Sequence, residues 1–330
     1  MPDVSLFRYA VAPMLDWTDR HCRYFHRLLS RRAWLYTEMI PTPAILHGEV
    51  SRLLAFNEVE HPVALQIGGS HPRECAVAAK AAARFGYDEI NINCGCPSDR
   101  VQVGRFGACL MATPEGVADC VKAMRDAATL PVSVKHRIGI DDRTEYGFVR
   151  DFVGTVAAAG CRLFIVHARP AILKGLSPKE NRDIPPLDYE KVYRLQRDFP
   201  SLFFMLNGGI DRWETLEDVA ATLTKINPAS GVMVGRWAYH DPYHLAQIDS
   251  RLFHDTTPPP SRRDILEALK HYAEKEKARG AVPRHIARHV LGLYLGEKNA
   301  RLFRQCLSSH ELLAADDPAI FDQAAARVLS

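Results

Sequence analysis

Short apolar runs rich in β-branched residues alternate along this chain with longer stretches rich in Ala and charge. Eight such runs predict strands at Tyr9–Ala12, Trp34–Thr37, Val63–Gln66, Glu89–Asn93, Val132–Lys135, Leu163–His167, Phe203–Asn207 and Gly231–Val234. Their spacing of roughly 25 to 40 residues is the length of a strand, a helix and two loops. The pattern predicts an α/β protein, a (β/α)8 TIM barrel rather than an open doubly wound sheet. After His254 the pattern changes. Thr256-Thr-Pro-Pro-Pro-Ser261 reads as a stiff linker, and Ser261–Arg279, Pro283–Leu295, Lys298–Ser308 and Asp317–Leu329 read as helices with short joints. The expected organisation is a barrel over residues 1–250, a Pro-rich linker over 251–261 and a small helical bundle over 262–330.

Polar residues collect where the predicted strands end: Met14 with Asp16, Glu38, Gln66, Asn93 with Cys96, Lys135 with Arg137, His167 with Arg169, Asn207, and Gly235 with Arg236. A closed barrel brings these ends to one rim, the face where such barrels carry their sites. One of them could be a surface residue; eight strands with the same habit point to a ligand.

Composition narrows the class. With 47% hydrophobic and 25% charged residues the chain is an ordinary globular protein. Its start, Met1-Pro-Asp-Val-Ser-Leu-Phe-Arg8, lacks the apolar core of a signal peptide, and no apolar run approaches the roughly 20 residues that span a bilayer. A cytoplasmic location with no membrane association is expected, and no obligatory protein partner is evident. The net charge is only +3, yet 262–304 holds eleven Lys and Arg against five acids. Such an excess is either a solvated helical face or a footprint for phosphates.

Eight cysteines without a regular framework read as reduced thiols. Six, Cys22, Cys75, Cys109, Cys120, Cys161 and Cys306, suit small buried hydrophobes, and Cys94 is expected to point away from its neighbour Cys96. Cys96 differs, because Asn91-Ile-Asn-Cys-Gly-Cys-Pro-Ser-Asp-Arg-Val101 breaks at Gly95 and Pro97 and sets it in the turn beyond a strand's carboxyl end. Cys94-Gly-Cys96 has the wrong spacing for a zinc knuckle, so no metal is expected.

The last two strands suggest a cofactor. Asn207-Gly-Gly-Ile210 and Val234-Gly-Arg-Trp237 place Gly208, Gly209 and Gly235 where backbone amides can approach a phosphate, with Arg236 to add a charge-assisted bond. Plain turn glycines are the alternative. FMN fits the rim best: Gln66 offers a donor and an acceptor to a pyrimidine edge, and Lys135 could hold the negative charge of reduced flavin. Pyridoxal phosphate on Lys135 is the competitor, though it leaves a Cys96 proton donor unexplained. Lys135 and Arg137, two apart on a strand, share a face and imply an anionic ligand.

Taken together, Ala12-Pro-Met-Leu-Asp-Trp-Thr-Asp-Arg20, the Asn91–Val101 segment, Lys135-His-Arg137, His167-Ala-Arg169, Asn207-Gly-Gly209 and Gly235-Arg236 resemble the tRNA-dihydrouridine synthases. The resemblance covers nearly the whole chain and is closest to the A subfamily, through Leu15–Phe25 and Gly175-Leu-Ser-Pro-Lys-Glu-Asn-Arg182. It implies FMN at the barrel rim, NADPH as reductant, and reduction of the C5–C6 bond of a D-loop uridine at tRNA positions 20 and 20a. It further implies that hydride reaches C6 from flavin while Cys96 protonates C5. Implied FMN contacts are Pro13, Met14, Leu15, Gln66, Lys135, His167, Asn207, Gly208, Gly209, Gly235 and Arg236. Asn93 would touch the target nucleotide, and Arg137, Lys179, Arg182, Arg301 and Arg304 would also contact the tRNA. A flavin-dependent reductase of free pyrimidines, or a tRNA-binding chaperone with a dead barrel, are the rival readings. No Gly-x-Gly-x-x-Gly site is present, consistent with transient docking of NADPH.

Overall fold

The computed structural model describes residues 8–99, 101 and 104–329. Eight parallel strands form the sheet: β1 Arg8–Val11, β2 Leu35–Pro41, β3 Val63–Gly68, β4 Glu89–Cys94, β5 Val132–Arg137, β6 Leu163–His167, β7 Phe203–Asn207 and β8 Gly231–Val234. They run in the order β1-β8-β7-β6-β5-β4-β3-β2, and a parallel bridge from Ala10 to Trp34 joins the two ends of that order into a closed barrel. The eight βα units read from the sequence are thus a (β/α)8 barrel. The strands Leu163–His167, Phe203–Asn207 and Gly231–Val234 have the expected bounds, while the second begins one residue later and runs on to Pro41.

Helices between strands start and stop where the local chemistry requires. Pro72–Phe85 and Pro114–Ala127 each open on a proline, whose missing N–H would have had no partner in the first turn. Pro72–Phe85 ends at Gly86, in the left-handed region at φ 88°. β3 and β4 are buried at every position, as parallel strands covered on both faces must be. Inside the barrel, Ala10, Ala12, Tyr36, Ala64, Ile165, Met205 and Met233 form an apolar cluster. Beside it, along β3, β4 and β5, lies a polar set: Gln66, Glu89, Asn91, Asn93 and Ser133 are all at most 9% exposed.

The chain forms two compact units. The first holds residues 1–14, 34–56 and 61–235; the second holds 15–33, 57–60 and 236–330. The division therefore falls at Gly235 and Arg236, earlier than the Pro-rich stretch at 251–261, and the helix after β1, Arg20–Leu29, groups with the C-terminal helices. Those helices are Arg262–Lys277, Pro283–Val290, Ala300–Leu307, His310–Ala314 and Ile320–Leu329. Within this unit Asp19 caps Arg20–Leu29 through the N–H groups of His21 and Cys22, and its other oxygen accepts from Arg288 at 2.6 Å and His289 at 3.0 Å. Those bonds hold its carboxyl well below the usual range against the opposing effect of burial. Among the described residues no helix is long and apolar enough to cross a membrane.

Candidate active site

β4 presents the thiol. Its alternate residues Glu89, Asn91 and Asn93 point into the barrel, and Asn93 Oδ1 accepts from the backbone N–H of Gly95 (3.0 Å) and of Cys96 (2.9 Å). The chain turns back over the strand end, so Cys96 is half-buried, and its thiol reaches the Ser98 hydroxyl at 3.5 Å. The Cys96 carbonyl accepts from Ala108 N–H at 2.9 Å, which ties down the far side of the turn. Cys94 is fully buried, and desolvation holds its thiol protonated. All eight cysteines are free.

Around this turn the structure brings together most of the rim residues of the barrel unit. Asn93 donates from Nδ2 to Gln66 Oε1 at 2.9 Å. Lys135 donates to Asn207 Oδ1 at 3.0 Å, and Asn207 Nδ2 donates to the Met233 carbonyl at 2.7 Å. Desolvation, helped by the charge of Arg137, lowers the Lys135 ammonium to about 7. His167 is neutral for the same reasons, burial first and then the charges of Arg137, Lys135, Arg169 and Arg182. So many cations around one histidine form a field that an anion relieves.

The glycines also meet the rim. Gly208 and Gly209 have φ of 107° and 71°, and a Cβ on Gly209 would lie 2.4 Å from Leu187 Cδ1. A Cβ on Gly208 would lie 3.2 Å from the His167 ring, so that imidazole sits directly against the turn. At the end of β8 a Cβ on Gly235 would meet nothing closer than Ala12 Cβ and Met14 Sδ at 3.8 Å, leaving backbone open beside Pro13 and Met14. Leu15, 68% exposed, and Arg236 belong to the second compact unit.

Arg137 sits otherwise than a surface contact would. Only 5% exposed, it donates from Nε to the Gly95 carbonyl (3.1 Å) and from Nη1 to the carbonyls of Pro170 (3.2 Å) and Asn181 (2.9 Å). It therefore brackets the thiol turn to the segment that carries Lys179 and Arg182. Asn181, fully buried, closes that segment by accepting from Ile172 N–H (2.7 Å) and donating to the carbonyls of Ile172 (2.9 Å) and Leu176 (3.2 Å). Lys179 and Arg182 are left exposed on a loop that is itself fixed. In the helical unit Arg301 and Arg304 are exposed on Ala300–Leu307, and neither has an ion-pair partner among the described residues.

Several residues of this site escaped the reading of the sequence. Glu89, Asn91 and Ser133 line the polar wall below Gln66, and Asn181 shapes the basic loop. The available signal was the alternation of Glu89, Asn91 and Asn93 in a strand with both faces covered, since polar side chains there have no solvent to face.

A (β/α)8 barrel whose C-terminal rim combines a half-buried thiol, a desolvated lysine and a neutral histidine defines an enzyme able to move a proton beside an anionic ligand. Residues 10–328 match the family model described as Dihydrouridine synthase (Dus), and the chain belongs to that family of oxidoreductases. It is 55% identical to a protein of Pseudomonas aeruginosa over 96% of this chain and 94% of that one. It is 54% identical to a protein of Salmonella typhi, covering 96% and 94%, and 52% identical to one of Vibrio vulnificus, covering 97% of each. All three relatives are named tRNA-dihydrouridine(20/20a) synthase.

Proposed function

We propose that this chain reduces uridines at positions 20 and 20a of the tRNA D-loop to 5,6-dihydrouridine, with FMN as resident cofactor and NADPH as reductant, in the cytoplasm. The observation that carries the reading is the Cys96 turn fixed by Asn93 at the same rim as Gln66, Lys135, His167 and the Asn207-Gly-Gly209 turn. The residues present fit FMN. His167 Nδ1 is buried with no hydrogen-bond partner among the described residues, and a Cβ on Gly235 would meet nothing closer than 3.8 Å, so the backbone at the end of β8 is open to a ligand.

Pro13, Met14, Gln66, Lys135 and His167 would hold the ring, and Asn207, Gly208, Gly209 and Gly235 the phosphate end. When bound, FMN supplies the hydride that adds at C6. Cys96 supplies the proton that adds at C5, so it must be a thiol and not a thiolate at that step. Its exposure is partial, which admits a nucleotide while keeping most water away. Lys135 carries the positive charge that balances the reduced cofactor. Asn93 orients the target base from the same side as the thiol, and Arg137 holds the turn while offering Nη2 to the nucleotide.

A D-loop uridine must leave its stack before it can reach this rim, which costs a few kcal/mol. Contacts from Lys179 and Arg182, and from Arg301 and Arg304, to tRNA phosphates would offset that cost. The test is to purify the protein, identify the released chromophore, and follow NADPH oxidation with and without unmodified tRNA. Stoichiometric FMN and tRNA-dependent turnover support the reading. A colourless protein that neither binds added FMN nor modifies tRNA overturns it.

A further inference from the structure

Beneath the rim a single line of hydrogen bonds runs through the barrel's polar wall. Glu89 is ion-paired with Arg8 at 3.2 Å and accepts from the Tyr36 hydroxyl at 2.7 Å. The Ser133 hydroxyl donates to the same Glu89 oxygen at 2.5 Å. Having donated its one proton, Ser133 Oγ can only accept from Asn91, and it does so from Nδ2 at 2.7 Å. Asn91 Oδ1 then accepts from Gln66 Nε2 at 2.7 Å, Gln66 Oε1 accepts from Asn93 Nδ2 at 2.9 Å, and Asn93 Oδ1 accepts from the N–H of Cys96 at 2.9 Å.

Both ends of this line force the same direction. A carboxylate paired with Arg8 only accepts, and a backbone N–H only donates, so none of the three amides between them can invert without leaving buried groups facing like partners. Glu89, Asn91 and Ser133 are each at most 1% exposed, out of reach of bulk solvent. Burial and the adjacent carboxylate keep the Tyr36 hydroxyl protonated, so it remains a donor. Gln66 is left with one N–H and one oxygen lone pair unused, in fixed positions.

We infer that Glu89, Ser133 and Asn91 are positioning residues: the buried carboxylate sets, through this one-directional chain, both the amide orientation with which Gln66 reads a pyrimidine edge and the seat of the Cys96 turn. The inference rests on the proposed FMN reading and adds to it the device that orders donor and acceptor. Removing the Ser133 hydroxyl cuts the chain at a residue that touches neither cofactor nor nucleotide. Asn91 Nδ2 then loses its acceptor, and the direction of Gln66 is held from the Cys96 end alone, with the carboxylate's hold on it removed.

The experiment compares wild type, Ser133→Ala and Ser133→Thr for FMN dissociation constant, for the visible spectrum of bound flavin, and for single-turnover reduction of tRNA. Ser133→Ala is expected to weaken FMN about tenfold, to shift the flavin band and to slow the tRNA step, with Ser133→Thr recovering all three. A loss of packing alone would lower Tm without moving the flavin band. Wild-type affinity, spectrum and rate in Ser133→Ala overturn the inference while leaving the cofactor reading intact. Failure of the wild-type protein itself to bind FMN overturns both. Should Ser133→Ala not fold, Ser133→Cys, nearly isosteric and a weak hydrogen-bonding group, gives the same readings with the same meanings.

Discussion

Cys96→Ala removes one sulfur atom and nothing that builds the turn. The bonds that shape the turn are the Cys96 and Gly95 N–H groups to Asn93 Oδ1, the Ala108 N–H to the Cys96 carbonyl, and the Arg137 guanidinium to the Gly95 carbonyl. None involves Sγ, whose one hydrogen-bond partner among the described residues is Ser98 at 3.5 Å. A half-buried, loosely bonded thiol contributes little to folding, so stability should change by less than about 1 kcal/mol. FMN binding through Gln66, Lys135 and Asn207 should be unaltered. On the proposed mechanism the proton donor is gone, and a positioned general acid is worth on the order of 10² to 10⁴ in rate, or about 3 to 5 kcal/mol of barrier. The assay is a single turnover: enzyme reduced stoichiometrically with NADPH, mixed with unmodified tRNA, and followed by flavin reoxidation under anaerobic conditions. Reduction by NADPH should match wild type, and tRNA-driven reoxidation should fall by at least two orders of magnitude. Equal reoxidation rates in mutant and wild type would refute the assignment of the acid to Cys96.

Three further outcomes are expected. Arg301→Glu should weaken tRNA binding several-fold and reduce the salt dependence of that binding, leaving NADPH-driven flavin reduction unchanged; unchanged tRNA affinity at physiological salt would remove Ala300–Leu307 from the docking surface. Lys135 has a folded-state pKa of about 7, below the 10.5 it regains on unfolding, so the unfolded chain binds more protons between those values. In the flavin-free protein Lys135 should accordingly contribute stability that grows as pH rises from 7 toward about 8.5, below the range where buried thiols such as Cys94 and Cys161 oppose it, so the Tm difference between wild type and Lys135→Met should change with pH across that window. Asn181→Ala removes the side chain that closes the 172–182 loop and should raise the KM for tRNA several-fold with little change in NADPH-driven flavin reduction; an unchanged KM would show that the loop's order does not matter to docking.

The strand pattern was legible because parallel strands covered by helices are continuous apolar runs, and the punctuation around Leu163–His167 and Phe203–Asn207 is sharp. Boundaries slipped where a tertiary contact overrode local pattern. Trp34 pairs with Ala10 as a lone bridge and β2 continues through an irregular register between Tyr36 and Met39 to Pro41. Asn299, in the left-handed region at φ 62°, delays a helix expected from Lys298 until Ala300. The five-residue helix His310–Ala314 is too short to show a period.

The rim residues could be found because each sits at a strand end with a chemical type foreign to a core. Their supports could not. Ser133 and Asn181 read as ordinary loop or strand polars until the fold brings Asn91 and Arg137 against them from 42 and 44 residues away in sequence. The unit boundary at Gly235 was hidden for the same reason, since the grouping of 15–33 with the C-terminal helices depends on contacts across the length of the chain.

The most direct test of the central claim is position-by-position mapping of dihydrouridine by mass spectrometry in tRNA from a strain lacking this gene. Loss at positions 20 and 20a, with other D-loop positions unchanged and restoration by the wild-type gene, is the predicted result. Dihydrouridine undiminished at both positions would contradict it.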